Sequence, residues 1–360
     1  MKKGECGFTM INTNKIFRRL LCCAALLLSL NTASGANAPL FEDSNILDIT
    51  LSGPFSTIDR QRDKEQEYEG GTLTYTDNGQ EVTLDVSFEV RGNFRLREDV
   101  CSYSQLWVDL KRGQVEGTLF EDQNKLKLVV QCKNPSRFER YIVKENQAYQ
   151  IFNTITDLSF RSRLLNVTYH DTDNDKERTQ LGIFIEHKDG LANRIAMDNV
   201  DLNKINYTEL AQQQANLVDL FMFMVTNTDY SIISAPEDEC CHNAKLFQSE
   251  DDPRYFPAPY DFDSSGYVNA TYAEPNPSLR LRSVRQRLYR GFCFPENIIN
   301  ASLQTYRQHE GEIMAIAGDT TYLDQKTANN TVKYLQGFYD IINDPKDLQN
   351  DILDDCRGSF

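Results

Sequence analysis

Hydrophobic and polar residues alternate through the first third of the chain with the two-residue period of β-strands. Thr72 to Tyr75 and Val82 to Val90 flank Asp77, Asn78 and Gly79, and an Asn-Gly pair between two such runs predicts a β-hairpin. Asn45 to Leu51 alternates more loosely, and Gln105 to Leu110 and Lys125 to Val130 predict further short strands. In the last of these, Leu126, Leu128 and Val130 share one face, with Lys125 and Lys127 on the other. The period then changes. Tyr141, Glu145, Ala148, Tyr149, Phe152 and Ile155 recur at helical spacing, predicting a helix over 136–157. Strand character returns at Leu164 to Tyr169 and Thr179 to Glu186, around an acidic turn. Asp171, Asp173 and Asp175 in that turn have the first spacings of a calcium loop. Lys176 replaces the glycine such a loop needs and Gly182 its closing glutamate, so a hairpin tip is expected.

The second half reads differently. Asn206 followed by Glu209 marks a helix start, and Ala211 to Val225 is apolar on most turns. A long irregular stretch runs from Asn227 to about Ser278, with short strands expected just after Asn243 and around Asp261. Helices return over Asn297 to Ile316 and Leu323 to Ile342. This order predicts an α+β protein, with a β-rich part over 39–195 carrying one helix and a mainly helical part over 196–360.

The N-terminus changes the picture of where the chain works. Lys2, Lys3, Lys15, Arg18 and Arg19 precede an uncharged apolar run, Leu20 to Leu30, and small residues Ala33 to Ala38 follow. This is the pattern of a secretory leader over 1–38, and the run is about half the roughly 20 residues that span a bilayer. Export to a periplasm or to the outside is therefore expected, with no permanent membrane span. The formal net charge of −15 becomes more negative once that basic segment is removed, which argues against nucleic acid as a partner. Six of the nine cysteines lie beyond the leader: Cys101, Cys132, Cys240, Cys241, Cys293 and Cys356. An even count in an exported chain points to disulfides. Cys101 with Cys132 would be local to the first half, and Cys240 or Cys241 with Cys293 local to the second.

The densest polar cluster follows the apolar segment ending at Val225. It contains Asn227, Thr228 and Asp229, then His242, Asn243 and Lys245, then Tyr260, Asp261, Phe262, Asp263, Ser264, Ser265 and Gly266. Two short strands that bring an Asn and an Asp together supply hard oxygens of the kind a magnesium ion on nucleotide phosphates takes. A neighbouring carboxylate, Asp229, is placed to orient or deprotonate an acceptor hydroxyl.

Taken with Arg91-Gly92-Asn93, Lys127, Glu145 and Leu181 to Glu186, this series resembles the catalytic segment of atypical kinases of the spore-coat protein H (CotH) kind. More distantly it is similar to HipA-like and secretory-pathway kinases. The resemblance implies a two-lobed kinase-like fold. It implies ATP, or another nucleotide, with magnesium or manganese as cofactor. Lys127 and Arg91 would hold the phosphates and Glu145 would pair with Lys127. Asp229 would be the catalytic base, and Asn243, Asp261 and Asp263 the metal ligands. Lys125 is the competing choice for the strand lysine. The sequence departs from the pattern in its long insert between Asp229 and Asn243 and in lacking a clear glycine-rich phosphate loop. The expected activity is phosphoryl transfer to a protein or glycan hydroxyl, the alternative an inactive module of an envelope or surface coat.

Overall fold

The alternating segments become strands, and the strands close on themselves. A computed structural model of the chain describes Met1 and residues 37–62, 68–235, 240–358 and 360. Apart from Met1, Asn37 and Ala38, the expected leader lies outside them. The first half runs β1 (Leu47–Gly53), α1 (Phe55–Arg60), β2 (Glu69–Asp77), β3 (Gln80–Arg91), β4 (Gln105–Leu110), α2 (Arg112–Val115), β5 (Lys125–Val130), α3 (Arg137–Ile155), β6 (Ser162–Asp171) and β7 (Lys176–Ile185). The strand order is β1-β2-β3-β4-β5-β7-β6, a closed barrel sealed by parallel pairing of β1 with β6, Ile49 opposite Val167. The β2–β3 hairpin turns where expected, with Asn78 and Gly79 at φ 49° and 79°, a conformation these two residues tolerate best. Leu126, Leu128 and Val130 point into the barrel with Leu73, Leu84, Val108 and Phe184.

The second half runs α4 (Lys188–Ile195), β8 (Asp198–Val200), α5 (Gln212–Val225), β9 (Ala244–Ser249), β10 (Asp252–Pro259), α6 (Glu296–Gln308), α7 (Glu310–Ala317), α8 (Gln325–Asn343) and α9 (Pro345–Leu348). Strands β8 to β10 make a separate antiparallel sheet, ordered β10-β9-β8. The Asn206–Glu209 capping box forms, but on a short 3-10 turn, Tyr207–Glu209; the helix proper begins at Gln212. The strand expected around Asp261 ends before it, at Pro259.

This architecture overturns the expected two-lobed kinase-like fold with a mainly helical second lobe. The β-rich part is a closed seven-stranded barrel, and the second part carries its own sheet and long loops. Alternation in the sequence is the same for an open and a closed sheet; closure depends on the β1–β6 pairing, which no local pattern announces. Nor does α3 belong to the barrel alone. Its rings reach into the second half, Phe152 against Phe221 at 4.7 Å and Tyr149 against Phe262 at 4.6 Å between centroids. One continuous apolar core therefore joins α3, α5 and the C-terminal helices, and Gly35–Phe360 form one compact unit.

Disulfides join Cys101 to Cys132, Cys240 to Cys241, and Cys293 to Cys356. The first matches the local pairing open from sequence, whereas Cys293 is joined to Cys356 instead of to Cys240 or Cys241. No helix among the described residues is long and apolar enough to cross a membrane. The acidic β6–β7 turn is a hairpin tip: Asp171 accepts from the Ser56 backbone N–H and hydroxyl, and Asp173 from the Thr57 N–H.

Candidate functional site

The face of β5 opposite the barrel interior begins the site. Lys127 sits between Trp107 of β4 and Ile185 of β7 in register, and it points away from the apolar interior because its neighbours Leu126 and Leu128 point in. Helix α3 brings Glu145 to the same place. Strand β3 ends at Arg91. Gly92, at φ 94°, then turns the chain into a short 3-10 turn, Phe94–Leu96, that carries Arg95.

The β9–β10 hairpin supplies the opposite wall. Asn243 precedes β9 and Asp261 lies just past β10, and the Tyr260 N–H donates to the Asn243 carbonyl at 3.1 Å, so both residues stand at one end of the sheet. Both adopt left-handed backbone, φ 51° and 64°, which Asn and Asp accept more readily than other side-chain-bearing residues. The Asp261 N–H is held by Tyr149 Oη at 2.9 Å. Asp229 follows α5. Its carbonyl accepts from Asn243 Nδ2 at 2.6 Å, and its carboxylate lies 3.2 Å from His242 Nε2. That contact, which outweighs partial burial, raises the His242 pKa.

At the centre three cations meet three carboxylates. Arg95 reaches Asp263 at 2.7 Å, Glu145 at 3.3 Å and Asp261 at 3.7 Å. Lys127 Nζ lies 3.5 Å from Asp261 Oδ1. Lys127 and Glu145 are 5% and 1% exposed, and Lys127 Nζ and Glu145 Oε1 have no hydrogen-bond partner among the described residues. Burial, with Arg91 close by, lowers the Lys127 pKa to about 8, Asp261 opposing the shift. Burial raises Glu145 to about 7 in spite of Arg95. Burial would raise Asp261 too, but Lys127, Arg95 and Arg91 together outweigh it and hold this carboxylate below its usual range.

Two cavities open on this cluster and share Arg91, Lys245 and Tyr260 as lining residues. The smaller, about 240 Å³, lies between Trp107, Phe160, Ile185 and Tyr260, with Lys127 and His187 at its edge. The larger, about 670 Å³, is lined by Asp229, His242, Asn243, Asp261 and Asp263 and opens past Phe94.

All seven residues singled out in the sequence thus lie in or directly behind one cleft, but not in the expected pairs. Glu145 is engaged by Arg95, and Lys127 by Asp261. The competing Lys125 is bound to Glu89 and lines neither cavity. Arg95 and Trp107 went unnoticed in the sequence, and His242 was placed in the polar cluster without a role. Arg91, Arg95 and Arg97 lie within one short stretch, and only the turn after Gly92 decides which goes inward. His242 was signalled only by adjacency to Asn243.

A divalent cation needs oxygens that no guanidinium already holds. Asp261, its side chain 30% exposed, and Asn243 meet that need, and two such groups suffice for an ion that keeps waters. Asp263 is less suited, because Arg95 grips its Oδ2 through both Nε and an Nη nitrogen, which leaves only Oδ1 outside the guanidinium's hold. Among the described residues no group of three or more His, Cys, Asp or Glu side chains forms a ready metal cage. Compared with protein-family models and with curated proteins, the chain matches none.

Proposed function

We propose that this cleft binds a nucleotide with a divalent metal and transfers its terminal phosphoryl group to a hydroxyl of a protein or glycan, outside the cytoplasm. The observation that carries the reading is Lys127: a buried ammonium with no hydrogen bond, beside a carboxylate and at the edge of an aromatic-walled cavity. In an acidic chain, Arg91, Lys127 and Lys245 around that cavity favour a polyanion. Trp107, Phe160 and Tyr260 would give a nucleobase an aromatic wall, with Arg91 and Lys127 over two of the rings. Lys127 and Arg91 would hold the phosphates, and Asp261 with Asn243 would hold the metal. When bound, the metal supplies charge neutralisation on the transferring group. Asp229 would accept the acceptor hydroxyl's proton while the new O–P bond forms and the nucleotide diphosphate leaves. The disulfides agree with an exported chain.

The test is a thermal shift of the oxidised protein with ATP and manganese, beside Asp261→Ala. Ligand at about a hundred times its dissociation constant stabilises by about 2.7 kcal/mol, a shift of several degrees. The shift is expected in the parent chain and absent in the variant. No shift in the parent would leave the inactive binding module as the better reading.

A further inference from the structure

Arg95 has no part in the reaction just described, yet it touches every carboxylate at the centre of the cleft. It is 8% exposed, and it lies within 3.7 Å of Asp263, Glu145 and Asp261. The three contacts are unequal. Asp263 receives both Nε and an Nη nitrogen, at 2.8 and 2.7 Å, while Asp261 is the most distant. Asp261 is also the least buried of the three, its side chain 30% exposed against 9% and 1% for Asp263 and Glu145. Its other counter-ion is Lys127, which holds it at 3.5 Å without a hydrogen bond. The charges of Arg91, Arg95 and Lys127 at least balance those of Glu145, Asp261 and Asp263, so a divalent cation arriving alone meets no net negative charge. An anion that draws Lys127 and Arg91 to itself leaves Asp261 with Arg95 alone, at 3.7 Å, and so with room for a new positive partner.

We infer that Arg95 is a positioning residue that restricts the cleft to one divalent cation, on Asp261 and Asn243, and admits it only together with an anionic ligand. The guanidinium holds Asp263 Oδ2 and Glu145 Oε2, and its positive charge beside both carboxylates opposes a second cation there. Asp261 is exchanged from Lys127 to the metal as Lys127 turns to the ligand. The two bindings are then coupled, and by linkage each strengthens the other to the same extent. The inference deepens the metal–nucleotide reading of the same cleft and rests on it.

Manganese uptake by the full, oxidised chain, read from the loss of the free-ion electron paramagnetic resonance signal, tests it. With ATP, one ion per chain is expected; without ATP, binding at least tenfold weaker. Two ions per chain, or equal affinity with and without ATP, would overturn the inference. Arg95→Met is expected to take up manganese without nucleotide, because the carboxylates lose their guanidinium. That substitution removes a buried partner and can unfold the chain, so Asp263→Asn serves as a second variant. It should keep one ion per chain with ATP, whereas Asp261→Asn should lose it. Equal loss in both variants would make Asp263 a ligand and sink the idea. If ATP does not bind the parent chain at all, the proposed function falls. The role of Arg95 is then decided by Arg95→Met with manganese alone: uptake by the folded variant supports it, and no uptake overturns it.

Discussion

The two faces of β5 obey opposite rules. Toward the barrel, Leu126, Leu128 and Val130 are at most 1% exposed and belong to its apolar cluster. On the other face Lys127 is almost as buried, but it lies among two carboxylates, Asp261 and Glu145, and two arginines, and its ammonium has no hydrogen bond. One strand thus supplies both a face that stabilises the fold and a face that spends stability on a charged group. An unsatisfied buried polar group costs about 1–3 kcal/mol, and a fold keeps it only where the rest of the structure tolerates it. That contrast, more than any single distance, is why the cleft reads as a binding site.

Removing side chains from the two faces should therefore have unequal consequences. Leu128→Ala leaves a hole in a closed barrel whose backbone cannot collapse inward, and it should cost about 3 kcal/mol in urea unfolding. Its nucleotide response, in the protein that remains folded, should be unchanged. Lys127→Met fills nearly the same volume and deletes a donor that had no hydrogen bond, only a 3.5 Å ion contact to Asp261. Asp261 keeps Arg95 and partial access to water. This variant should lose no more than about 1 kcal/mol, but the ATP–manganese thermal shift should vanish. A loss as large as that of Leu128→Ala would mean that Lys127 is a structural ion-pair member, and the two faces would no longer differ in kind.

Much of the barrel was legible because strand alternation and turn chemistry are local. The Asn78-Gly79 hairpin, the bounds of β4 and β5 and the inward face of β5 all follow from residues within ten positions of one another. What joins them is not local. Closure pairs β1 with β6, more than a hundred residues apart, and β7 inserts between β5 and β6. The helical period of α3 was visible, but not that its apolar residues belong to the core of the second half. The site shows the same division. Residue types and their order pointed to Lys127, Glu145, Asp229, Asn243 and Asp261. Which carboxylate meets which cation was set by Arg95, carried on the short 3-10 turn that follows Gly92. Charge partners in a buried cluster are chosen by geometry, and Lys127 with Glu145, the pair expected from the resemblance, lost to Arg95 and Asp261.

A second buried lysine sharpens the contrast by a smaller effect. Lys144 neighbours Glu145 on α3, but its Nζ donates to the Val268 carbonyl at 2.7 Å, so unlike Lys127 it is satisfied. Burial, with a lesser contribution from Arg285, lowers its pKa to about 7, below the 10.5 of an exposed lysine. Between those values the unfolded chain holds a proton that the folded chain has released, so this group makes stability rise with pH across that window. Lys127, lowered to about 8, acts in the same direction but begins higher, and Glu145, raised to about 7, opposes it over the same interval. From pH 7 to pH 8 the gain should come mostly from Lys144 and amount to about 1 kcal/mol. Urea midpoints at the two pH values should show that gain in the parent chain and most of it gone in Lys144→Met. An undiminished gain in Lys144→Met would assign the titration to Lys127 instead. The hydrogen-bonded lysine would then stay charged in the fold, and the orphaned one would be the proton-releasing group that the cleft alone makes it.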